Sequence, residues 1–383
     1  MNNKLRFLDL FAGIGGFRSG MEKEGHECVG YVEWDKHARK SYENMYDTKG
    51  EWTRNDITEI TNDEWKELRG KVDVICGGFP CQAFSVAGKR GGFNDARGTM
   101  FFEIARATKQ IKPRLLFLEN VKGLLSHDKG NTFATILNTL DELGYDVEWQ
   151  LLNSKDFSTK ERPTPQNRER VFIIGHLRGS SGRKIFPISE ISRSANINVI
   201  GTTKSKNAEG TNCRHWVHDV GGSVGALSAT DYKQPKQIIR AVLTPNRLDK
   251  RQNGRRFKND GEPMFTLTSQ DIHGIAIKEA TKKGYTTATV GDSVNYTYPN
   301  SETRRGRVGK QIAQTLQAGE VNQGTVTNDL RIRKLTPKEC FRLQGFTDEQ
   351  FHKAEEVNSN SQLYKQAGNS VTVNVIQAIA ERL

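Results

Sequence analysis

The sequence predicts an α/β protein in which a mostly parallel, doubly wound sheet is joined to a smaller, irregular β-rich domain. Up to about residue 177, apolar runs of strand length alternate with segments of helical periodicity, which is typical of a parallel sheet with helices on both faces. From about residue 180 to 330 the alternation disappears, and short apolar runs lie among Gly, Asn, Ser, Thr and Arg. A length of 383 residues suits two or three domains.

The first part contains six apolar runs that predict strands: Leu5–Phe11, Cys28–Trp34, Val72–Phe79, Arg114–Val121, Tyr145–Leu152 and Arg170–Leu177. Helices are predicted between them at Asp35–Tyr46, Thr99–Ile111 and Thr132–Leu143. In the last of these helices the apolar residues fall on one face, and Gly144 follows as a C-cap. Regular structure returns near RKLTPKECFRLQGF and ends in a helix predicted over Val371–Leu383.

Composition limits the classes of function. The five cysteines include no CxxC pair, so we expect free thiols rather than a disulfide scaffold, and no metal site. The longest apolar runs have the length of strands, and MNNKLRFLDLF enters a strand at once. We therefore expect no transmembrane helix, no signal peptide and a location in the cytosol.

The positive charge is concentrated in one block. The net charge is +12, and residues 176–331 hold 24 Lys and Arg against 13 Asp and Glu, while the rest of the chain holds 33 and 32. A bias of this size favours a polyanionic partner over an ordinary solvated surface.

Three features at successive strand ends favour a cofactor that contains adenosine. The run LDLFAGIGGF leads from a strand into a glycine-rich turn and a helix, although its spacing is not GxGxxG. The next strand ends in Glu33 and Trp34, an acid that suits ribose hydroxyls and an indole that suits adenine. Asp56 follows in NDIT and suits the adenine amino group. Each feature alone is more typical of a turn glycine, a surface acid or a helix cap.

Cys81 follows Gly77, Gly78, Phe79 and Pro80 at the end of a predicted strand, where open α/β sheets bind their ligands. Most free cysteines are small buried hydrophobic residues, and we assign Cys76, inside the strand, to packing. The basic side chains that follow Cys81 favour a lowered thiol pKa; these are Lys89, Arg90 and Arg97.

Two further strands bring charged groups to the same edge. Glu119 ends the apolar run LFLENV, where an acid is about equally typical of a helix cap and of a site. In PQNRERVFIIG, Arg168 and Arg170 are two residues apart and share one face if the strand begins there. A thiol, a carboxyl group and an arginine are then expected to converge.

In this order along the chain, these residues resemble the DNA cytosine-5 methyltransferase family. DLFAGIGGF resembles the family's S-adenosylmethionine loop, and GGFPCQAFSVAGKR resembles its Pro-Cys nucleophile motif. FLENV, QNRERVFIIG, RKLTPKECFRLQGF and QAGNSVTVNV resemble the remaining signatures. The resemblance covers about residues 5–177 and 332–383, and the basic block stands where the family has its target recognition domain.

The resemblance implies a Rossmann-like S-adenosylmethionine-dependent methyltransferase domain and a smaller, irregular β-rich target recognition domain. The expected bounds are 1–187 plus 366–383 for the catalytic domain and 188–332 for target recognition, with 333–365 as a connection. The implied partner is double-stranded DNA, bound by a monomer of the bacterial cytoplasm or nucleoid, with any cognate restriction endonuclease acting independently.

The resemblance also implies the site residues. Cys81 would add to C6 of a flipped-out cytosine, Glu119 would bond N3 and the exocyclic amine, and Arg170 would hold O2. Arg168 would support the phosphate or the loop. The implied pocket for S-adenosylmethionine, or its product S-adenosylhomocysteine, is lined by Phe11, Gly13, Ile14, Gly15, Gly16, Glu33, Trp34, Asp56, Ile57, Gly78, Pro80, Asn369, Ser370 and Val371. The expected DNA contacts are Gln82, Ser85, Lys89 and Arg97 in the loop and Arg255, Arg256, Arg304, Arg305 and Arg307 in the basic block.

Three alternatives remain. An RNA cytosine-5 methyltransferase of the same fold is expected to have a smaller insert than this chain. A catalytically silent DNA-binding regulator is disfavoured by the intact Cys81, Glu119 and Arg170. A nicotinamide dehydrogenase is disfavoured by the glycine spacing and would leave Cys81 without a role.

Overall fold

The protein folds as two compact units. The structure, a computed structural model, describes residues 4–80, 100–180, 184–188, 240–243, 273–297, 303–317, 323–327 and 332–383. The first unit comprises Met1–Thr164, Arg168–Arg193 and Cys340–Leu383, and the second comprises Pro165–Asn167 and Ser194–Glu339.

A seven-stranded sheet forms the centre of the first unit. Its strands are β1 (Arg6–Leu10), β2 (Glu27–Val32), β3 (Trp52–Arg54), β4 (Val74–Gly78), β5 (Leu115–Val121), β6 (Tyr145–Asn153) and β8 (Glu169–Leu177), with β7 (Gln166–Asn167) belonging to the second unit. The order is β3-β2-β1-β4-β5-β8-β6. Strands β1 to β5 pair in parallel, and β8 runs antiparallel to both β5 and β6. The carboxyl ends of β1, β2, β4 and β5 therefore meet at one edge.

Helices cover both faces of this sheet. The helices in the described part of the chain are α1 (Gly16–Lys23), α2 (Lys36–Met45), α3 (Asn62–Glu67), α4 (Met100–Ile111), α5 (Asn131–Glu142), α6 (Pro337–Leu343), α7 (Asp348–Val357), α8 (Asn360–Asn369) and α9 (Val373–Ala380), and those that pack on the sheet include α1, α3, α4, α5 and α9. Strand side chains alternate between two hydrophobic clusters, so that Leu116 packs with α3, α4 and α5 on one face. Its neighbour Phe117 packs with α1 and α9 on the other. This doubly wound arrangement confirms the predicted fold class.

The C-terminal segment packs closely against α1. A Cβ atom built on Gly20 would lie 2.6 Å from Cβ of Ile376, and one built on Gly16 would lie 2.6 Å from Cγ2 of Val371. Glycine at these two positions therefore lets α9 and the preceding residues lie directly against the start of α1. In this way residues separated by about 350 positions become neighbours at the edge of the sheet.

The second unit consists of short strands in its described part. Antiparallel pairing joins β9 (Arg240–Leu243), β10 (His273–Lys278) and β11 (Tyr285–Ala288) in the order β11-β10-β9. A four-stranded sheet follows the order β13-β12-β15-β16, from β12 (Ser293–Asn295), β13 (Val308–Gly309), β15 (Gln323–Val326) and β16 (Ile332–Lys334). Strand β14 (Ala313–Gln314) pairs with β7. A small core of Ile275, Ile277, Ala288, Val294 and Val326 supports the predicted irregular β-rich character.

The elements predicted in the first part agree with the structure to within two residues, and the final helix, predicted over Val371–Leu383, spans Val373–Ala380. All six strands and the three helices predicted in the first part are present. In the first part the prediction missed two short elements, β3 and α3, and nearer the C-terminus it missed the helices α7 and α8. In the part of the chain that the structure describes, no helix is long and apolar enough to cross a membrane.

Candidate active site

The glycine-rich turn after β1 has an unusual backbone. Phe11, Gly13 and Gly15 all have positive φ angles, of 54°, 57° and 79°. A Cβ built on Gly15 would lie 2.4 Å from Cε2 of Tyr46, whereas the space beside Gly13 is open within 4 Å. Only glycine combines this conformation with this contact at Gly15. Ile14, between the glycines, is fully buried.

Glu33 and Trp34 lie beside this turn, at the end of β2. The amides of Gly13 and Asp35 each donate to the Glu33 carboxylate, at 2.7 Å. Burial raises the pKa of Glu33, although these amides oppose the rise. The Trp34 side chain is 79% exposed. Large aromatic residues are seldom this exposed, and an exposed indole beside a glycine turn and an acid suits stacking on a flat ring.

The other residues predicted to bind cofactor have different surroundings. Asp56 is partly exposed, and its Oδ1 accepts bonds from the amide and hydroxyl groups of Thr58. The side chain of Ile57 lies in the core, and Phe11 packs against that same cluster. Pro80 and Asn369 are exposed, while Ser370 and Val371 are buried.

Glu119 lies directly across from Gly78 in the pairing of β4 and β5. A Cβ on Gly78 would be 3.1 Å from Oε2 of Glu119 and 3.5 Å from Cγ1 of Val371. The absence of a side chain at Gly78 therefore leaves room for the Glu119 carboxyl group. Val371, in the C-terminal segment, lies against the same glycine. Glu119 is only 7% exposed and pairs with Arg170 at 2.9 Å between Oε1 and Nε.

The ionisation of Glu119 reflects two opposed effects. Burial raises the pKa of the carboxyl group, and the nearby charges of Arg170 and Arg168 oppose that rise. The net effect is a raised pKa. An acid of this kind holds its proton to a higher pH than a solvated glutamate, which suits proton donation.

Arg168 lies outside β8, which begins at Glu169, so the expected alternation with Arg170 does not apply. Its guanidinium donates to the carbonyl groups of Gly368 and Ser370 at 3.2 and 2.7 Å. Burial lowers its pKa to about 9. These contacts favour a role in holding the C-terminal segment over a direct contact with phosphate.

A residue that sequence reasoning missed is Asn120. It is 1% exposed, and its Nδ2 donates to the carbonyl oxygen of Phe79 at 2.9 Å. This bond fixes the backbone that leads into Pro80 and Cys81. A polar amide next to Glu119 in the apolar run LFLENV was the available signal, because a buried Asn needs such a partner.

Several predicted residues lie outside the described part of the chain. They are Cys81, Gln82, Ser85, Lys89, Arg97, Arg255 and Arg256. The described residues of the second unit include three predicted DNA contacts, of which Arg304 and Arg305 are exposed. Arg307 is 3% exposed and donates to the carbonyl groups of Asn295 and Lys278. Arg307 therefore joins two strands of the unit, and its burial argues against a contact with DNA.

Among the residues that the structure describes, no group of three His, Cys, Asp or Glu side chains is arranged to hold a metal ion. The strand edge instead offers a glycine turn, a buried acid and an exposed indole. These groups suit a cofactor that contains adenosine.

Comparisons with known proteins agree on one family. A family model described as C-5 cytosine-specific DNA methylase matches residues 5–383. The type II methyltransferase M.HpaII of Haemophilus parainfluenzae is 36% identical over 389 residues, covering 100% of this chain and 90% of that protein. M.HhaI of Haemophilus parahaemolyticus is 33% identical, covering 98% and 93%. The orphan methyltransferase M.SPRI of Bacillus phage SPR is 31% identical, covering 99% and 97%.

Solved structures show the same fold. The Dnmt2 methyltransferase of S. pombe has a TM-score of 0.54 at 16% identity, with 98% of this chain and 96% of that chain covered. The Entamoeba histolytica methyltransferase EhMeth has a TM-score of 0.53 at 14% identity, with 100% and 98% covered. The fold is thus the Rossmann-like fold of methyltransferases. The chain belongs to the C-5 cytosine-specific DNA methylase family and is a DNA cytosine-5-methyltransferase.

Proposed function

We propose that this enzyme methylates C5 of a cytosine flipped out of double-stranded DNA, within a short specific sequence, through a covalent bond between Cys81 and C6. The observation that carries the proposal is the buried Glu119–Arg170 pair. This pair lies at the end of β5, beside the strand that leads into Pro80 and Cys81.

The chemistry explains why a thiol is required. C5 of cytosine is a poor nucleophile, so direct methylation is slow. Addition of the Cys81 thiolate to C6 moves electron density to C5, which becomes enamine-like. After C5 has gained its methyl group, its proton passes to a base and the electrons of that C–H bond expel the Cys81 thiolate from C6. N3 returns its added proton to Glu119, and the aromatic ring is restored.

Glu119 is the proposed acid in this reaction. A proton given to N3 as sulfur attacks C6 avoids a build-up of negative charge on the ring. The raised pKa of the buried carboxyl group supports this role. Arg170, 15% exposed at its side chain, would bond O2 of the base while orienting Glu119.

Asn120 is proposed to position the nucleophile. Its bond to the Phe79 carbonyl oxygen holds the chain two residues before Cys81. Tethering there would limit where the thiol can lie relative to the base, and reacting groups gain much of their rate from such orientation.

The proposed cofactor is S-adenosylmethionine, which supplies an electrophilic methyl group on a sulfonium. Glu33 would bind its ribose and Trp34 would stack on its adenine, since both lie beside the open turn at Gly13. Asp56, Gly78 and the residues 369–371 would complete the pocket.

Removing a cytosine from the stack costs about a few kcal/mol, which contacts with the extruded base would offset. We expect a monomer to act, without contact to any restriction endonuclease of the same specificity.

The mechanism is tested with DNA that carries 5-fluorocytosine at the target. Fluorine cannot leave as a proton, so we expect the enzyme to remain covalently bound after methyl transfer. The adduct should require S-adenosylmethionine and survive denaturing electrophoresis. Cys81→Ser should form no adduct, because a hydroxyl is far less acidic and a weaker nucleophile than a thiol.

Cys76→Ala is the matched control, because Cys76 is fully buried within β4 and should not react. This variant should still be trapped. Transfer of a labelled methyl group to DNA but not to RNA of the same sequence separates the two substrates. An adduct in Cys81→Ser, or none in the wild type on its own site, would overturn the proposed mechanism.

A further inference from the structure

Helix α2 connects the two sides of the proposed cofactor site. Its N-cap is Asp35, whose side chain accepts bonds from the amides of His37 and Ala38. The preceding residues are Glu33 and Trp34. At the other end, Tyr46 follows the last helical residue and contacts the glycine turn. One helix of ten residues therefore fixes both the acid and the turn.

Tyr46 supports the turn in two ways. Its ring edge fills the space in which a side chain at position 15 would lie, so ring and glycine are mutually fitted. Its hydroxyl lies 2.9 Å from the carbonyl oxygen of Gly15 and 3.3 Å from that of Ile14. Arg18 lies 4.6 Å from the ring centroid and helps to hold it.

The hydroxyl of Tyr46 is part of a directed chain of hydrogen bonds. It lies 2.6 Å from Oγ of Ser19, and Nε2 of Gln350 donates to that Oγ at 2.8 Å. A hydroxyl donates only one hydrogen. The consistent assignment is that Gln350 donates to Ser19, Ser19 to Tyr46, and Tyr46 to the carbonyl oxygen of Gly15.

The oxygen and the NH2 group of the Gln350 side chain bond different partners. The side-chain Oε1 of Gln350 accepts a hydrogen bond from the backbone amide of Thr347. The backbone amide of Gln350 donates to Thr347 Oγ1, and the two bonds form the capping box of α7. The carbonyl end of the side chain therefore caps α7, while the NH2 end begins the chain of bonds to the glycine turn. Helix α7 is thus tied to a turn more than 300 residues away in sequence.

We propose that Tyr46 and Gln350 are positioning residues that hold the glycine turn in its cofactor-binding conformation. This inference rests on the proposed cofactor site and adds residues that do not touch the cofactor. Without the bond to Gly15, the turn would adopt other backbone conformations more often. Binding would then have to restore the conformation at a cost in affinity.

The test uses two conservative variants of the full chain. Tyr46→Phe keeps the ring and removes the hydroxyl. Gln350→Glu keeps a capping-box acceptor, because Glu serves as well as Gln there, and removes the NH2 donor. We expect each variant to raise both the Kd and the KM for S-adenosylmethionine by about 3- to 10-fold, the effect of one lost hydrogen bond. The kcat at saturating cofactor and the affinity for DNA should stay within about twofold of wild type.

Coupling provides a second readout. If the bonds form one chain, Tyr46→Phe combined with Gln350→Glu should weaken binding by less than the product of the two single effects. Tyr31→Phe is the matched control, because it removes a hydroxyl that bonds Glu43 on α2 and not the turn. It should leave the cofactor affinity unchanged.

Glu33→Ala distinguishes failure of this inference from failure of the proposed site. It should weaken cofactor binding by about 10- to 150-fold, as expected for lost charged hydrogen bonds. If Glu33→Ala weakens binding and neither Tyr46→Phe nor Gln350→Glu does, the positioning role is wrong. If all three leave the affinity unchanged, the proposed cofactor site is wrong as well.

Discussion

Glu119 is buried at the end of β5 and pairs with Arg170, and these two features act on its pKa in opposite directions. Burial is the larger effect, so the pKa is raised. If the ion pair with Arg170 equalled or exceeded the effect of burial, the pKa of Glu119 would be ordinary or lowered. The side chain therefore holds its proton to a higher pH than a solvated glutamate does.

We expect Glu119→Gln to lower kcat by about 10²- to 10⁴-fold, the range typical of general acid catalysis. Glutamine keeps the size of the side chain and a donor for the base, but it has no proton to transfer. The Kd for DNA containing the target site should change little. Steady-state methyl transfer and a DNA-binding measurement check this, and full activity in Glu119→Gln would remove the acid from the mechanism.

The raised pKa also makes a prediction about stability. A carboxyl group with a higher pKa in the folded state stabilises that state once protonated, and the contribution is lost as pH rises through the folded pKa. The free energy of unfolding of wild type minus that of Glu119→Gln should therefore increase as pH falls from neutral towards the ordinary value of 4.5. Urea unfolding of both proteins across this range measures the difference. A difference that decreases on acidification would mean that the ion pair outweighs burial.

The sequence predicted the location of Glu119 and Arg170 better than that of Arg168. A charged residue at the end of an apolar run points to a sheet edge whatever follows it. The position of Arg168 depended on where β8 starts, and strand boundaries are poorly marked in sequence. Its bonds to Gly368 and Ser370 depend on a segment 200 residues away, which no local pattern reveals.

At the scale of elements, the packing of α1 against α9 brings the C-terminal segment to the site. Gly20 lies in the middle of this contact, where backbone of α9 is also close. Both helices bury apolar side chains in one cluster under the sheet, including Phe17, Met21, Ile376 and Ile379. The separation of these helices therefore determines where Val371 lies relative to Glu119.

Gly20→Ala should destabilise the protein although alanine favours helix by about 1 kcal/mol. The new methyl group would lie 2.6 Å from side-chain atoms of Ile376 and 2.9 Å from the amide nitrogen of Gln377. Overpacking of this kind costs about 1–3 kcal/mol, which exceeds the gain from propensity. Urea unfolding tests the sign. Gly123→Ala, at an exposed position with only one atom within 4 Å, is the control and should be neutral or slightly stabilising.

Two of the missed elements, β3 and α3, show which local structure a sequence pattern can reveal. Strand β3 has three residues and α3 has six, so neither contains a full period of an apolar pattern. Helix α3 nevertheless carries a capping box between Thr61 and Glu64, which was readable in the sequence. Strand β3 offered no comparable signal, because its pairing with β2 is non-local.

At the scale of the whole molecule, the excess of basic residues in 176–331 predicts a polyanion partner but not the role of each arginine. Arg307 belongs to the charged block, yet it is buried and bonds two backbone carbonyl groups. Arg305 is exposed, and its Nε donates to the carbonyl oxygen of Ala280, which leaves the rest of the guanidinium at the surface. Net charge therefore predicts the class of partner, and burial separates structural arginines from candidate contacts.

Substitutions of these arginines should sort into two outcomes. If Arg304 or Arg305 contacts phosphate, its change to Ala should weaken binding equally on all DNA sequences and make the plot of log K against log salt shallower by about one unit. If one of them reads a base, the loss should be about 1–3 kcal/mol on the cognate site alone. That site is found by bisulfite sequencing of DNA from cells that express the enzyme.

Arg307→Met should instead lower the free energy of unfolding by about 1–3 kcal/mol, because it leaves buried carbonyl groups unpaired. Binding titrations at several salt concentrations, alongside urea unfolding, separate these effects. Loss of DNA affinity in Arg307→Met without loss of stability would show that the buried arginine, and not its exposed neighbours, faces the DNA.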